Sequence, residues 1–304
     1  MELELYKIFV KTQRKKYFKE DMPYDLVYRN FEKLGLINQP VEYFLKNASS
    51  VIEKLRSNSW DEFQKKEQEF TSKMLSSLYS RDDIKGMDAS EAISWFVDKF
   101  PMHIYSLNLS NTQSRRSRAG KEFEAIIELI LIGADIPMDS QGNIGKKFFE
   151  DKDLGKMVDI VSPGSSEYSI YKRDTVLISA KTTLRERWQE VPEEMGRTGA
   201  REMFLVTLDE SISQEVIETL DEANIQVVTT RSVKETNYNT NNNVITFERL
   251  LDILKETASK WDDYNYPQDV IRQNKINLEK QLKSHHNHSF VEEYYNRRIE
   301  KFSI

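Results

Sequence analysis

Met157-Val158-Asp159-Ile160-Val161 and Thr175-Val176-Leu177-Ile178-Ser179-Ala180-Lys181 are the two runs whose reading decides the fold. Both are short, apolar and rich in β-branched residues, and turn formers such as Ser162-Pro163-Gly164 bound them, so both predict buried strands. Each also carries an ionisable residue. A charged Asp or Lys inside such a run is costly unless it is paired or holds a metal. The link between the runs contains turn residues, so the two strands are expected side by side in one sheet, with Asp159 close to Lys181. A divalent-metal site at the sheet edge follows as one reading. Carboxylates supply hard oxygen ligands, and a protonated lysine orients a water or stabilises a phosphate oxygen. A structural Asp–Lys pair is the alternative that these runs leave open.

Downstream, Met203-Phe204-Leu205-Val206-Thr207 predicts a further buried strand, residues 211–223 a helix, and Ile225-Gln226-Val227-Val228-Thr229 another strand. Strand–helix–strand at this spacing implies parallel pairing. An Asn-rich surface loop is expected over 237–243 and a helix over 247–255. From Trp261 onward the chain reads as polar helix, a candidate subunit contact. Upstream, residues 1–100 read as helical. Leu5, Ile8 and Phe9 suggest an amphipathic first helix, residues 45–55 and 60–78 two more, and Asp88 or Ser90 caps another that ends near Pro101. The basic stretch 113–121 reads as a loop leading into a helix whose apolar side is Phe123, Ile126, Ile127, Ile130 and Leu131, with Gly133 as its C-terminal cap. The expected division is a helical N-terminal part, 1–100, and an α/β core with C-terminal helices, 101–304.

Hydrophobic content of 38% and charged content of 31% describe a polar globular chain. No apolar run approaches membrane-spanning length and no signal peptide is visible, so a cytoplasmic protein is expected. The absence of cysteine excludes disulfides and thiolate zinc sites. A net charge of −6 argues against a surface coated in basic residues for nonspecific nucleic-acid binding, but leaves room for a local basic cleft.

Taken together, Asp159, Ser179-x-Lys181 and Glu194 form a more specific pattern than any one of them, and Glu124 on the preceding helix is a further candidate ligand. Metal-assisted hydrolysis of a phosphodiester needs this set: carboxylates to place the ion and an amine to balance charge. Solvent exposure is the competing reading for Glu124 and for Glu194. Arg185-Glu186-Arg187 suits G·C pairs in a major groove, because arginine matches guanine O6 and N7 and glutamate accepts from cytosine N4; a solvated ion-pair face is its alternative. Arg115, Arg116 and Arg118 are candidates for gripping phosphates, and Gln113 for reaching a base edge. Arg56 and Trp60, one helical turn apart, make a stacking slot for an unpaired base, or a packing pair. His285, His286 and His288 read as surface residues.

These residues, in this order, resemble the type II restriction endonucleases of the SsoII, EcoRII and NgoMIV group, with SsoII-type enzymes recognising CCNGG the nearest likeness over essentially the whole chain. The resemblance implies a restriction-endonuclease-like fold, a mixed central sheet flanked by helices, carrying a permuted PD-(D/E)xK motif. In it Ser179 stands where other members place an acid and Glu194 supplies that carboxylate. Val158 departs from the family's usual proline. It further implies that Asp159 and Glu194 bind Mg2+, with Glu124 as an outer or additional acidic ligand and Lys181 as the catalytic lysine. Arg185, Glu186 and Arg187 would read G·C pairs, Gln113 would touch the centre of the site from the minor groove, and Arg56 and Trp60 would stack on flipped central nucleotides. A homodimer would cut double-stranded DNA before the first C, leaving five-nucleotide 5′ overhangs. A cognate DNA methyltransferase would protect the bacterial host. A repair or structure-specific nuclease with the same core, and a noncatalytic DNA-binding regulator, are the competing functions.

Overall fold

The computed structural model describes residues 1–185 and 187–302, and of residue 187 only the backbone. The chain divides into two compact units: residues 1–30 with 56–122, and residues 31–55 with 123–304. A single boundary at residue 100 was expected. Instead the units interleave, because α2 (Pro23–Lys33), α3 (Val41–Ser76) and α5 (Pro101–Gly133) each run through a boundary.

The first unit is helical. Besides its parts of α2, α3 and α5 it holds α1 (Leu3–Tyr17) and α4 (Ala89–Lys99). Asp88 caps α4: its side chain accepts from Glu91 N while Glu91 accepts from Asp88 N, a reciprocal capping box. The unit's core gathers Tyr6, Val10, Phe18, Phe63 and Phe70. The first helix therefore exists but turns another face inward. Leu5 and Ile8 are exposed, because Tyr6 and Val10 fill the core and Tyr6 Oη donates to Met74 O at 3.2 Å. Residues 45–55 and 60–76 belong to one helix, α3, which is kinked at Asn47 and ends two residues short of the expected 78. The basic stretch 113–121 is not a loop but the middle of α5.

The second unit is built on a six-stranded sheet in the order β1-β2-β3-β4-β5-β6. Its elements follow the chain: β1 (Asp139–Ser140), α6 (Gln141–Ile144), α7 (Lys146–Asp151), β2 (Ile160–Ser162), α8 (Ser165–Ile170) and β3 (Val176–Lys181). Then come α9 (Glu190–Thr198), β4 (Met203–Thr207), α10 (Gln214–Glu222), β5 (Ile225–Thr229), α11 (Arg231–Asn237), β6 (Val244–Thr246) and α12 (Phe247–Ser259). The chain closes with α13 (Gln268–Lys283) and α14 (Ser289–Lys301). β1, β2 and β3 pair antiparallel, and β3 through β6 pair parallel. The sheet is thus mixed and flanked by helices, as expected. β3 and β4 are buried along their whole length, which is why they read as continuous apolar runs.

Gly133 closes α5 for a packing reason: a Cβ there would overlap the Phe44 ring, and the left-handed residue beyond it is Asp135, φ +53°. The C-terminal helices fold onto their own sheet. Gln281 Nε2 donates to Asp139 Oδ1 at 2.8 Å, and Ser140 N donates to Gln281 Oε1 at 3.0 Å. His285 and His288 are buried rather than on the surface. His285 lies 2.9 Å from Glu128 Oε1 and stacks on Tyr295, so a buried carboxylate gives the imidazole its place. Among the described residues no helix is long and apolar enough to cross a membrane.

Candidate active site and DNA-contacting residues

The strand register builds the site. Ile160 pairs with Ile178, and one step further Asp159 N donates to Ile178 O at 2.8 Å, so Asp159 stands opposite Ser179. Alternation along β3 then puts Asp159, Ser179 and Lys181 on one face. Ala180 N donates to Asp159 Oδ2 at 2.6 Å, and Lys181 Nζ lies 3.3 Å from the same oxygen. Nζ also donates to Ser179 Oγ at 3.1 Å and to Ala180 O at 3.0 Å. Lys181 is 5% exposed. A buried ammonium ringed by oxygens is the paired state that burial demands. Ser179 is neutral, so a second carboxylate has to come from another element.

Glu194 on α9 is nearly buried. Its Oε2 accepts from Lys156 N at 3.0 Å and its Oε1 from Arg197 Nη1 at 3.2 Å. Lys156 lies just upstream of Asp159, so α9 delivers its acid to the segment that leads into the strand. Gly155 makes room: its φ is +77°, and a Cβ there would overlap Glu194 Oε2. Glu124 is half-buried on α5. Among the described residues, no three Asp, Glu or His side chains gather closely enough to hold a metal. Asp159 and Glu194 each carry oxygen donors of the kind a divalent cation takes.

Beyond β3, Leu184 is buried and its N donates to Asp209 Oδ2 at 3.0 Å. Asp209 N in turn donates to Thr207 Oγ1 at 3.1 Å. This tie holds the turn that projects Arg185, which is exposed with φ +38°. Glu186 lies outside the described residues. The backbone of Arg187 opens a 3₁₀ turn, Arg187–Gln189. Asp209, Gly155 and Lys156 N were missed in the sequence. Asp209 had one signal: it follows the C-terminal end of a parallel strand, where α/β sheets place their sites.

Within the helical unit, Arg56 Cζ lies 5.5 Å from the Trp60 ring centroid, and both side chains are half-buried. Trp60 leans on Phe63 with ring centroids 5.9 Å apart. Arg56 Nη1 reaches Glu122 Oε2 at 3.1 Å, and Arg118 Nε donates to Glu122 Oε1 at 2.5 Å. Burial pushes the Glu122 carboxyl above the usual carboxylate range, although both guanidinium groups pull it the other way. Arg118 also lies over Phe63, 4.4 Å from its centroid, and is buried. Arg115 pairs with buried Glu67 at 2.5 Å. Of the three arginines expected on phosphates, Arg118 is therefore committed to a buried acid and Arg115 is partly so. Arg116 is exposed and makes no ion pair among the described residues. Gln113 is exposed on α5.

Comparison with known proteins gives the family and the fold. The EcoRII C-terminal family model matches residues 79–251. The chain is 48% identical over 294 residues to the type II restriction enzyme SsoII of Shigella sonnei, covering 97% of this chain and 96% of that one. Metal-depleted Ecl18kI, solved with uncleaved DNA, superposes with a TM-score of 0.93 at 46% identity, covering 99% of this chain and all of the other. The endonuclease PspGI, solved with substrate DNA, shares the fold at a TM-score of 0.57 and 18% identity over 81% of this chain. On these matches and on the Asp159–Lys181 pair in its mixed sheet, the chain belongs to the EcoRII C-terminal family of type II restriction endonucleases.

Proposed function

We propose that this endonuclease hydrolyses double-stranded DNA at CCNGG-like sites in a Mg2+-dependent reaction, cutting before the first C and leaving five-nucleotide 5′ overhangs. The observation that carries the proposal is the buried Lys181 Nζ beside Asp159 Oδ2, on a strand whose neighbouring helix supplies Glu194. In this reading Asp159 and Glu194 hold the ion and Glu124 acts as an outer acid. When bound, the ion supplies electrophilic charge at the scissile phosphate. Lys181, fixed by Ser179 Oγ and Ala180 O, sets its positive charge where negative charge develops in the transition state.

Arg185, Glu186 and Arg187 are assigned to the G·C pairs, and Gln113 to the centre of the site. The slot of Arg56 and Trp60 is assigned to flipped central nucleotides. Arg116 and the exposed edge of Arg115 are assigned to phosphates, with Arg118 anchored behind them on Glu122. The enzyme acts as a homodimer, because a palindromic site calls for two-fold symmetry. It is placed in the bacterial cytoplasm beside a protecting methyltransferase. A plasmid of known sequence digested with Mg2+, with its ends mapped, tests this. Ends at every CCNGG site with 5′ overhangs are expected. Cutting without sequence preference would favour the repair-nuclease reading, and no cutting at low salt would favour a DNA-binding regulator.

A further inference from the structure

The helical unit holds a groove of about 660 Å³ between α1 and α5, and Gln113 lines it. Every charged residue that lines it is cationic: Lys7, Lys11, Arg14, Arg118 and Lys121. In a chain of net charge −6 this is a marked local reversal. Three of the five have partners. Arg118 is bound to Glu122, and Lys7 lies 2.7 Å from exposed Glu4. Arg14 donates from Nη2 to Asn111 Oδ1 at 2.5 Å and stacks over Phe70, while its Nε and Nη1 are buried with no hydrogen-bond partner. Buried Glu67 acts electrostatically on this guanidinium, which makes no ion pair among the described residues. Lys11 and Lys121 are exposed and make no ion pair among the described residues. Ser114 and Ser117 on the same wall add hydroxyl donors.

From this groove we infer a track for one strand of the DNA backbone, with Lys11 and Lys121 each contacting a phosphate beside the base step that Gln113 approaches. The inference rests on the proposed DNA-cutting function. A polyanion is the occupant that matches an all-cationic lining with neutral hydroxyl donors between the charges. Such contacts position the duplex and carry no sequence information. Their signature is a change in salt dependence rather than in specificity.

The test uses the full-length enzyme in metal-free buffer, with two fluorescent duplexes, one carrying CCNGG and one scrambled, titrated over a series of salt concentrations. Because the homodimer carries two copies of each lysine, Lys11→Ala and Lys121→Ala are each expected to lower the slope of log K against log[salt] by about 1.8, and the double variant by about 3.6. The preference between duplexes stays at the wild-type value. Lys283→Ala, an exposed lysine on α13, keeps the wild-type slope. Lys11→Glu and Lys121→Glu weaken both duplexes further. Wild-type slopes in both alanine variants, with a wild-type enzyme that binds and cuts CCNGG DNA, would overturn the track alone. So would a variant that changes the ratio between the duplexes, or one that dissociates a dimer at unchanged slope and so assigns the groove to a second copy. A wild-type enzyme that neither binds nor cuts CCNGG DNA would overturn the track together with the function it rests on.

Discussion

Gly155 and Glu194 share a space that only a residue without a side chain can leave open: a Cβ at 155 would overlap Glu194 Oε2, the oxygen that accepts from Lys156 N. Gly155→Ala is thus expected to push the carboxylate out of place and to add about 1–2 kcal/mol of backbone strain at φ +77°. Thermal melting measures the strain. The Mg2+ concentration needed for half-maximal cleavage measures the displacement, and it should rise. Gly155→Asn separates the two, since Asn tolerates the left-handed backbone but still carries a Cβ. A requirement for Mg2+ equal to wild type in both variants would remove Glu194 from the ion site.

Glu122 is squeezed between burial and two arginines, and the balance leaves its folded pKa above the ordinary value of 4.5. The folded state then binds this proton more tightly than the unfolded chain. The stability it contributes is present below about pH 4.5 and is lost as pH climbs through the folded pKa. Glu122→Gln has no such step. Melting temperatures of the two proteins should shift in favour of the variant as pH rises. A shift in favour of wild type would mean that Arg56 and Arg118 outweigh desolvation.

Much of the site was legible because its parts are close in sequence and tied by a strand register. Asp159 immediately precedes β2 and Lys181 ends its neighbour β3, and the register and a period of two put them on one face. The strands β4 and β5 were read residue for residue because burial along nearly all of their length leaves mostly apolar, β-branched runs. What failed was what periodicity does not encode. β1 and β6 are two and three residues long, too short to show alternation. The stretch 113–121 looked like a loop, yet its arginines bridge to buried Glu67 and Glu122 and keep α5 continuous. α13 read only as polar helix because three of its buried positions besides Leu278 are Asn274, Asn277 and Gln281, which bond Glu167, Ser165 and Asp139.

The tie between Asp209 and Leu184 N predicts a separation of stability from specificity. Asp209→Ala leaves a partly buried N–H without its acceptor and should cost about 1–3 kcal/mol. Because that turn projects Arg185, the larger effect is expected in the ratio of cognate to scrambled DNA binding, which should fall. An unchanged ratio would detach the turn from base readout.

Trp60 gives a spectroscopic prediction. A 2-aminopurine at the centre of the site should change fluorescence on specific binding by wild type, brightening on leaving the duplex or quenching on the indole. Trp60→Ala should show the brightening without the quench. No change with either protein, despite binding, would rule out base expulsion.

The central claim is that Asp159, Glu194 and Lys181 act together on one phosphate while other residues recognise the duplex. Its most direct measurement is paired binding and cleavage of a CCNGG duplex by wild type, Asp159→Ala and Lys181→Ala, with Mg2+ for cleavage. Both variants are expected to bind the duplex within a few-fold of wild type and to lose cleavage by at least about 10³-fold, a loss of roughly 4 kcal/mol of transition-state stabilisation. Cleavage by either variant at the wild-type rate would contradict the account.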